Sequence, residues 1–293
     1  MSSQVRVGAA DPQSRAEVDC AIQLRGVSQS FLHPRSREPF VAISDVSLRA
    51  AKGEFVSIVG PSGCGKSTLL SLASGLSAPT DGSVEVNGDQ VRGVRRDVGI
   101  IFQKDALLPW RSAVDNVALA LKYRGVPRGE RTERSREWLA RVGLAKFQDH
   151  YPHQLSGGMR KRVAIAATLV YQPSILLMDE PFSALDVQTR NLMENDLLRL
   201  WQDADRQTVL FVTHDLEEAI GMSDRVVVMS SSPGRVVADY RVDLARPRDL
   251  LEGRLQPGFT ELYATVWSAL REEVARAQMS AFGNEPTATG DVS

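Results

Sequence analysis

Apolar residues recur along this chain with two different periods, and the changes of period divide it into regions. From 21 to 104 the pattern is that of strands: AIQLRGVSQSF, VSLRAAKGEFVSIVG and SVEVNGDQV, the last containing Asn87-Gly88, a hairpin-turn dipeptide. From 105 to 165 the spacing lengthens to that of helices, in DNVALALKY and REWLARVGL. From 166 to 245 the two alternate. SILLMD, TVLFVTHD and RVVVMSS contain unbroken apolar runs, as parallel strands buried on both faces do, and VQTRNLMENDLLRLWQDAD reads as a crossover helix. Near the C-terminus Phe259, Leu262, Tyr263, Val266, Trp267, Leu270 and Val274 share one face of an amphipathic helix over about 257–277. No internal repeat is found. The expected architecture is an α/β core over 21–245 interrupted by a helical insertion at about 105–165, then a helical extension over 246–278. The polar, small-residue ends, 1–20 and 279–293, are expected to be disordered.

Composition narrows the function classes. The 293 residues allow one large domain or two small ones, and a net charge of -1 argues against a general nucleic-acid binder. Cys20 and Cys64 make no disulfide framework, which points to a reducing compartment. No stretch approaches the roughly 18 unbroken apolar residues of a membrane span, and MSSQVRVGAADPQSRAEVDC has no apolar h-region. Work at a membrane would require another subunit to hold the chain there.

The chemistry begins at GPSGCGKST, residues 60–68, between the apolar run Phe55–Val59 and the helical LLSLASGL. It matches G-x-x-x-x-G-K-[ST] in the strand-loop-helix setting that a phosphate cradle needs. Gly60, Pro61, Ser62, Gly63, Cys64 and Gly65 form the loop whose N–H groups turn toward one point, and the helix start adds partial positive charge. Lys66 supplies a cation for the β- and γ-phosphates, and Ser67, followed by Thr68, a hydroxyl for Mg²⁺. A thiol near a helix N-terminus can ionise easily, but Cys64 is read as a small loop residue, because phosphoryl transfer needs no thiol nucleophile. SILLMD ends in Asp179-Glu180, an apolar strand leading to a carboxylate that reaches Mg²⁺. Glu180, one residue on, is the candidate general base for water.

LSGGMRKR, residues 155–162, has no catalytic group and looks like the start of a basic helix. With the P-loop and the acidic strand end joined by LSGGM, the sequence resembles the ATP-binding subunit of an ABC transporter over about 21–245. The resemblance implies a P-loop NTPase core, RecA-like parallel sheet plus antiparallel β subdomain, with an α-helical subdomain inserted. It also implies that Gln103 reaches Mg²⁺ and senses the γ-phosphate, that SALD (Ser183 to Asp186) communicates across a dimer, and that His214 contacts the γ-phosphate. Phe31 is similar to the aromatic that stacks on adenine, or is a core aromatic. Ser156, Gly157 and Gly158 would form a second phosphate cradle facing the P-loop of another copy, so that ATP joins two subunits. Met159 stands where the family most often has glutamine, which implies one lost sugar contact. Arg160, Lys161 and Arg162 are expected on a solvated basic face.

The same resemblance carries expectations about partners. Membrane permease subunits would dock in a groove near Gln103–Trp110, where Ala106, Leu107, Leu108, Pro109 and Trp110 are rimmed by Lys104, Asp105 and Arg111, or those residues are ordinary core. ALLPWRSAVDNVALAL, MDEPFSALD and SSSPGRVVADYRVDLARPRD look like the nitrate/sulfonate/taurine importer branch, with a solute-binding protein as indirect partner. The implied location is the cytoplasmic face of the inner membrane. An exporter or lipid-transport ATPase is the nearest alternative. Repair and translation ATPases carry coiled-coil insertions or a second cassette, neither of which is present. The terminal helix either packs on the core or joins a dimer interface.

Overall fold

The strand-rich N-terminal third is shared between two sheets. The computed structural model describes residues 19–33, 36–203, 206–254 and 256–282. Of the ends expected to be disordered, 1–20 and 279–293, Cys20 instead opens a strand and 279–282 continue the last helix, while 1–18 and 283–293 lie outside the described residues. β1 (Cys20–Leu32) and β2 (Pro39–Ala51) form a long antiparallel hairpin. β3 (Phe55–Val59) then opens a second sheet, and α1 (Lys66–Ser74) follows it. β4 (Asp81–Val86) and β5 (Asp89–Gln90) return to the first sheet through Asn87 and Gly88, at φ 52° and 82°, the two positive angles that a tight hairpin turn requires. The first sheet is wholly antiparallel, in the order β2-β1-β4-β5.

β6 (Val98–Ile101) belongs to the second sheet and precedes three helices, α2 (Ala113–Tyr123), α3 (Arg128–Arg141) and α4 (Gly157–Leu169). These close on their own apolar centre, with Val117, Leu121, Leu139, Leu144, Val163 and Ala166 buried. Then come β7 (Ile175–Asp179), α5 (Val187–Asp203), β8 (Thr208–Val212), α6 (Leu216–Met222), β9 (Arg225–Met229) and β10 (Val236–Arg241). The second sheet has the order β10-β9-β3-β8-β7-β6, parallel except for its edge strand β10. Parallel strands covered on both faces must be apolar throughout, and β3, β8 and β9 are buried at every position. One face packs on α1 and the antiparallel sheet through Ile22, Ile43, Val56, Ile58, Leu69 and Val212. The other packs on α5, where the Trp201 indole meets the Phe55 ring edge-on at 5.3 Å and donates to the Gln207 carbonyl at 2.7 Å. Each such buried side chain contributes about 1.5–3 kcal/mol.

Strand register brings four loops to one edge of this sheet. Ile175 lies opposite Val98 on one side and Thr208 on the other, while Phe55 lies opposite Val209, so the parallel strands end nearly level. The loops after β3, β6, β7 and β8 therefore leave together, at the carboxyl edge where open α/β sheets place their ligands. α7 (Leu250–Gly253) and α8 (Pro257–Phe282) close the fold. α8 runs past the stretch its periodicity marked, and Phe259, Val266 and Leu270 bury against Val59, Leu216, Ala219 and Val228. That contact settles one side of the helix as core packing. β6, β10 and α6 are not individually legible in the sequence, being short or at an edge.

Candidate functional site

At the end of β3 the chain makes its glycine loop against β2. A Cβ on Gly65, at φ 91°, would sit 2.3 Å from Ile43 Cγ2 and 3.1 Å from the Ala42 carbonyl oxygen, so the turn into α1 admits only glycine. The first turn of α1 carries no acidic side chain, leaving its N–H groups and dipole to act on an anion. Lys66 Nζ donates to the carbonyls of Gly60 and Pro61 at 2.9 and 3.0 Å, which holds the ammonium along the loop. Cys64 is fully buried, and burial pushes its thiol up, against the pull of Lys66. It fills space under Gly60, as a small loop residue does, and is no thiolate.

Three more strand ends, those of β6, β7 and β8, converge beside this loop. Ser67 Oγ donates to Asp179 Oδ1 at 3.0 Å, joining the start of α1 to the end of β7. Burial raises Asp179 above the ordinary carboxylate range; the Ser67 hydroxyl draws it down and the Glu180 charge adds to the rise. Glu180 has φ 42°, an uncommon angle for a side-chain-bearing residue. Its N–H donates to the Val212 carbonyl at 2.9 Å, and Ser183 Oγ donates to its carbonyl at 3.0 Å. Gln103 Nε2, beyond β6, donates to Glu180 Oε2 at 3.1 Å and to Ser183 Oγ at 3.3 Å. His214 Nδ1, beyond β8, lies 3.4 Å from the same Glu180 oxygen. A hydroxyl, a carboxylate and an amide oxygen form a hard donor set, which fits Mg²⁺.

Other expected site residues lie around this centre. Phe31 is partly exposed and its ring sits 5.8 Å from that of Phe40, its partner across the hairpin. Phe40 is two residues from Ala42, which touches the loop at Gly65, so the aromatic pair stands about 7 Å along the strand from the cradle. Phe40 gives no signal in the sequence, because only the β1–β2 register sets it opposite Phe31. Asp186 accepts the Thr189 N–H at 3.0 Å as the cap of α5, and that bond holds its carboxyl below the usual range. Ser156 caps α4 by accepting the Met159 N–H at 3.3 Å, and a Cβ on Gly158 would meet Thr189 Cγ2 at 2.8 Å. Among the described residues the contacts of Ser156, Gly157 and Gly158 go to α4 and α5, not to the P-loop of the same chain. Met159 is half-buried against the apolar centre of the helical layer.

The basic face of LSGGMRKR is a correction. Lys161 is 2% exposed, and its ammonium donates to the carbonyls of Phe102 and Gln103 at 3.0 and 2.8 Å. Arg160 donates to the Leu155 carbonyl, and Arg162 to the Val142 carbonyl and to Asp196. These cations are spent on tying α4 to its neighbours, and a backbone carbonyl gives no signal in a sequence. Beside them Phe102, Asp105, Ala106, Leu107, Leu108 and Tyr123 line a groove of about 300 Å³ between the sheet edge and the helical layer. Pro109 and Trp110, expected in the lining, fall outside it; Leu107 packs inward, whereas Trp110 and Tyr123 are 71% and 77% exposed. Asp105 is no free rim charge, since it pairs with both Arg160 and Lys161 at 3.3 Å.

Comparison with known proteins bears on this geometry. The ABC transporter family profile matches residues 43–183. The chain is 46% identical over 236 residues to an uncharacterized ABC transporter ATP-binding protein of Methanocaldococcus jannaschii, covering 80% of this chain and 86% of that protein. It is 43% identical over 234 residues to the nitrate import ATP-binding protein NrtD of Synechococcus elongatus (76% and 85% covered). It is 46% identical over 225 residues to the taurine import ATP-binding protein TauB of Rhizobium johnstonii (75% and 86% covered). Among solved structures it is similar to a dimeric ATP-binding cassette in a post-hydrolysis state bound to ADP and Pi. That match has a TM-score of 0.68 and 34% identity, over 76% of this chain and all of the other.

Proposed function

The chain belongs to the ABC transporter family of ATP-binding proteins, and we propose that it works as the ATP-hydrolysing subunit of an importer for nitrate, a sulfonate, taurine or a similar small solute. The observation that carries the reading is the convergence of Gln103 and His214 on one oxygen of Glu180, beside the Ser67–Asp179 pair and the P-loop. The relatives named for nitrate and taurine import favour import over export.

In this reading the loop N–H groups and Lys66 hold the β- and γ-phosphates, and the Phe31–Phe40 pair offers a face to adenine. Ser67, Asp179 and Gln103 would hold Mg²⁺, which when bound neutralises charge between the terminal phosphates. Glu180 takes the proton of the attacking water, and His214 contacts the γ-phosphate and keeps the carboxylate aimed. A second copy of the chain supplies Ser156, Gly157 and Gly158 as donors to the far side of the same nucleotide, so ATP closes the dimer and hydrolysis opens it. Asp186, beside the α5 start that touches Gly158, carries the state of one site toward the other. Met159 leaves the Ser156 cap intact and gives up one peripheral sugar contact, about 0.5–1.5 kcal/mol. The groove lined by Leu107, Leu108 and Tyr123 receives a helix of the membrane permease, which keeps this subunit at the cytoplasmic face; a solute-binding protein acts beyond the permease. The core occupies 21–245, with the helical subdomain inserted in it and the extension from 246 packed on it.

Glu180→Gln tests the reading. It keeps the side chain's size and acceptor oxygen while removing the base, so turnover should fall by about 10²–10⁴ while an ATP-bound dimer accumulates in light scattering. Near-normal turnover would remove Glu180 from its role.

A further inference from the structure

Lys161 has no part in the proposed chemistry, yet it is among the most buried charged groups described. An ammonium has three N–H donors, and all three have oxygen acceptors here: the carbonyls of Phe102 and Gln103 and the carboxylate of Asp105. Burial draws its pKa down and Asp105 holds it up. Pulling a buried charge away from its acceptors is strongly unfavourable, so this contact does not loosen while the parts it joins stay folded. The parts are distant in sequence, by 59 residues at Phe102. On one side is the loop after β6, bent at Ala106 with φ 49°. That loop sends the Gln103 amide to Glu180 and lines the groove with Phe102, Asp105 and Leu108. On the other side is α4, whose cap Ser156 stands five residues, about 7.5 Å of helix, before Lys161. Asp105 adds a second tie, to Arg160.

We infer that Lys161 is a positioning residue, locking the backbone at Phe102–Gln103 to α4 so that Ser156–Gly158 follow any movement of that loop. The inference deepens the proposed function and rests on its shared-site reading. Loop position, set by Glu180 on one side and by the groove's occupant on the other, fixes where the second phosphate cradle points. A lysine that merely filled space would be replaced by any side chain of its length.

The test uses the full chain carrying Glu180→Gln and reads ATP-dependent dimerisation by light scattering. Adding Lys161→Met should raise the ATP concentration for half-maximal dimerisation by about tenfold or more, the effect of losing charge-assisted hydrogen bonds. ATP affinity of the dilute monomer should stay within about threefold, because the P-loop is untouched. Lys161→Gln, which keeps N–H donors for the carbonyls, should recover most of the loss. Dimerisation of the Lys161→Met variant at the parent's ATP concentration would overturn the inference alone. If the Glu180→Gln parent itself stays monomeric with ATP, the shared-site reading falls, and this inference with it. Should Lys161→Met fail to fold, hydrogen exchange on the unmodified monomer decides. With ATP, amides of 102–106 and 157–162 should change protection together, and a response confined to 102–106 overturns the proposal.

Discussion

Behind His214 a carboxylate is buried where an acid is costly. Glu218 Oε2 accepts the Thr213 hydroxyl at 2.6 Å, and Thr213 is the residue before His214. Burial pushes Glu218 up to about 8; the Thr213 bond opposes the rise, and Glu194 and Asp215 add to it. Arg190 faces it from α5 at 3.8 Å, and Arg254 lies 3.6 Å from Glu194. The folded chain thus keeps a proton on Glu218 that the unfolded chain releases above about pH 4.5. Its contribution to stability is whole below that pH, declines as pH rises toward 8 and is level beyond. Glu218→Gln mimics the protonated acid. In melts across pH it should match the parent near pH 4.5 and unfold several degrees higher at pH 8 or above, by about 2–4 °C for each kcal/mol. Parallel curves would show that Glu218 does not titrate in this window. Residues differ in how openly the sequence declares them. Lys66 and Ser67 sit in a contiguous motif whose spacing is its geometry. Glu218 and Lys161 are read from their surroundings alone, and much of these comes from distant parts of the chain: Arg190 and Glu194 for the one, Phe102, Gln103 and Asp105 for the other.

Among the elements, α8 shows the same division. Its apolar stripe was legible from periodicity, since helical spacing needs no partner to be visible. What it covers was not, because the surface belongs to β3, β9 and α6, at least 28 residues earlier. Glu273, 3% exposed, pins the middle of the helix by accepting the Ser231 N–H at 3.0 Å. A chain ending at residue 256 would bare Ala219, Val226 and Val228. The expected loss is a few kcal/mol after the helix's own ordering cost is returned, a fall in melting temperature of about 5–10 °C. An unchanged melting temperature would show that α8 adds nothing to the core. β6 escaped the pattern for a different reason: four residues including Gly99 make too short a run to show a period.

At the scale of the whole molecule, the proposed function divides the site, giving each chain two incomplete halves. Lys66, Asp179, Gln103, Glu180 and His214 gather at one sheet edge, while the contacts of Ser156–Gly158 go to α4 and α5. Activity should therefore depend on protein concentration. Well below the dimer dissociation constant, a tenfold dilution should lower specific ATPase activity by about tenfold at fixed ATP, whereas full activity at high dilution would contradict a shared site. The order of the motifs made the overall architecture legible in advance, although no single motif reports which surfaces meet.

The pairing of β7 has one more consequence, for the fidelity of folding. Its residues Ile175 to Met178 are apolar on both faces, so burial alone scarcely distinguishes the native alignment from one displaced by a single residue. Yet Asp179 and Glu180 are neighbours, and such a displacement would send each carboxylate to the opposite side of the sheet. Hydrogen bonds at the two ends of the strand select the alignment: Ser174 and Ile175 to the Asp97 carbonyl, Thr208 to that of Ser174, and Glu180 to that of Val212. A chain that closed one step out of line would be nearly as compact as its correct sibling and catalytically silent, so the yield of active molecules depends on four backbone bonds at the ends of the strand.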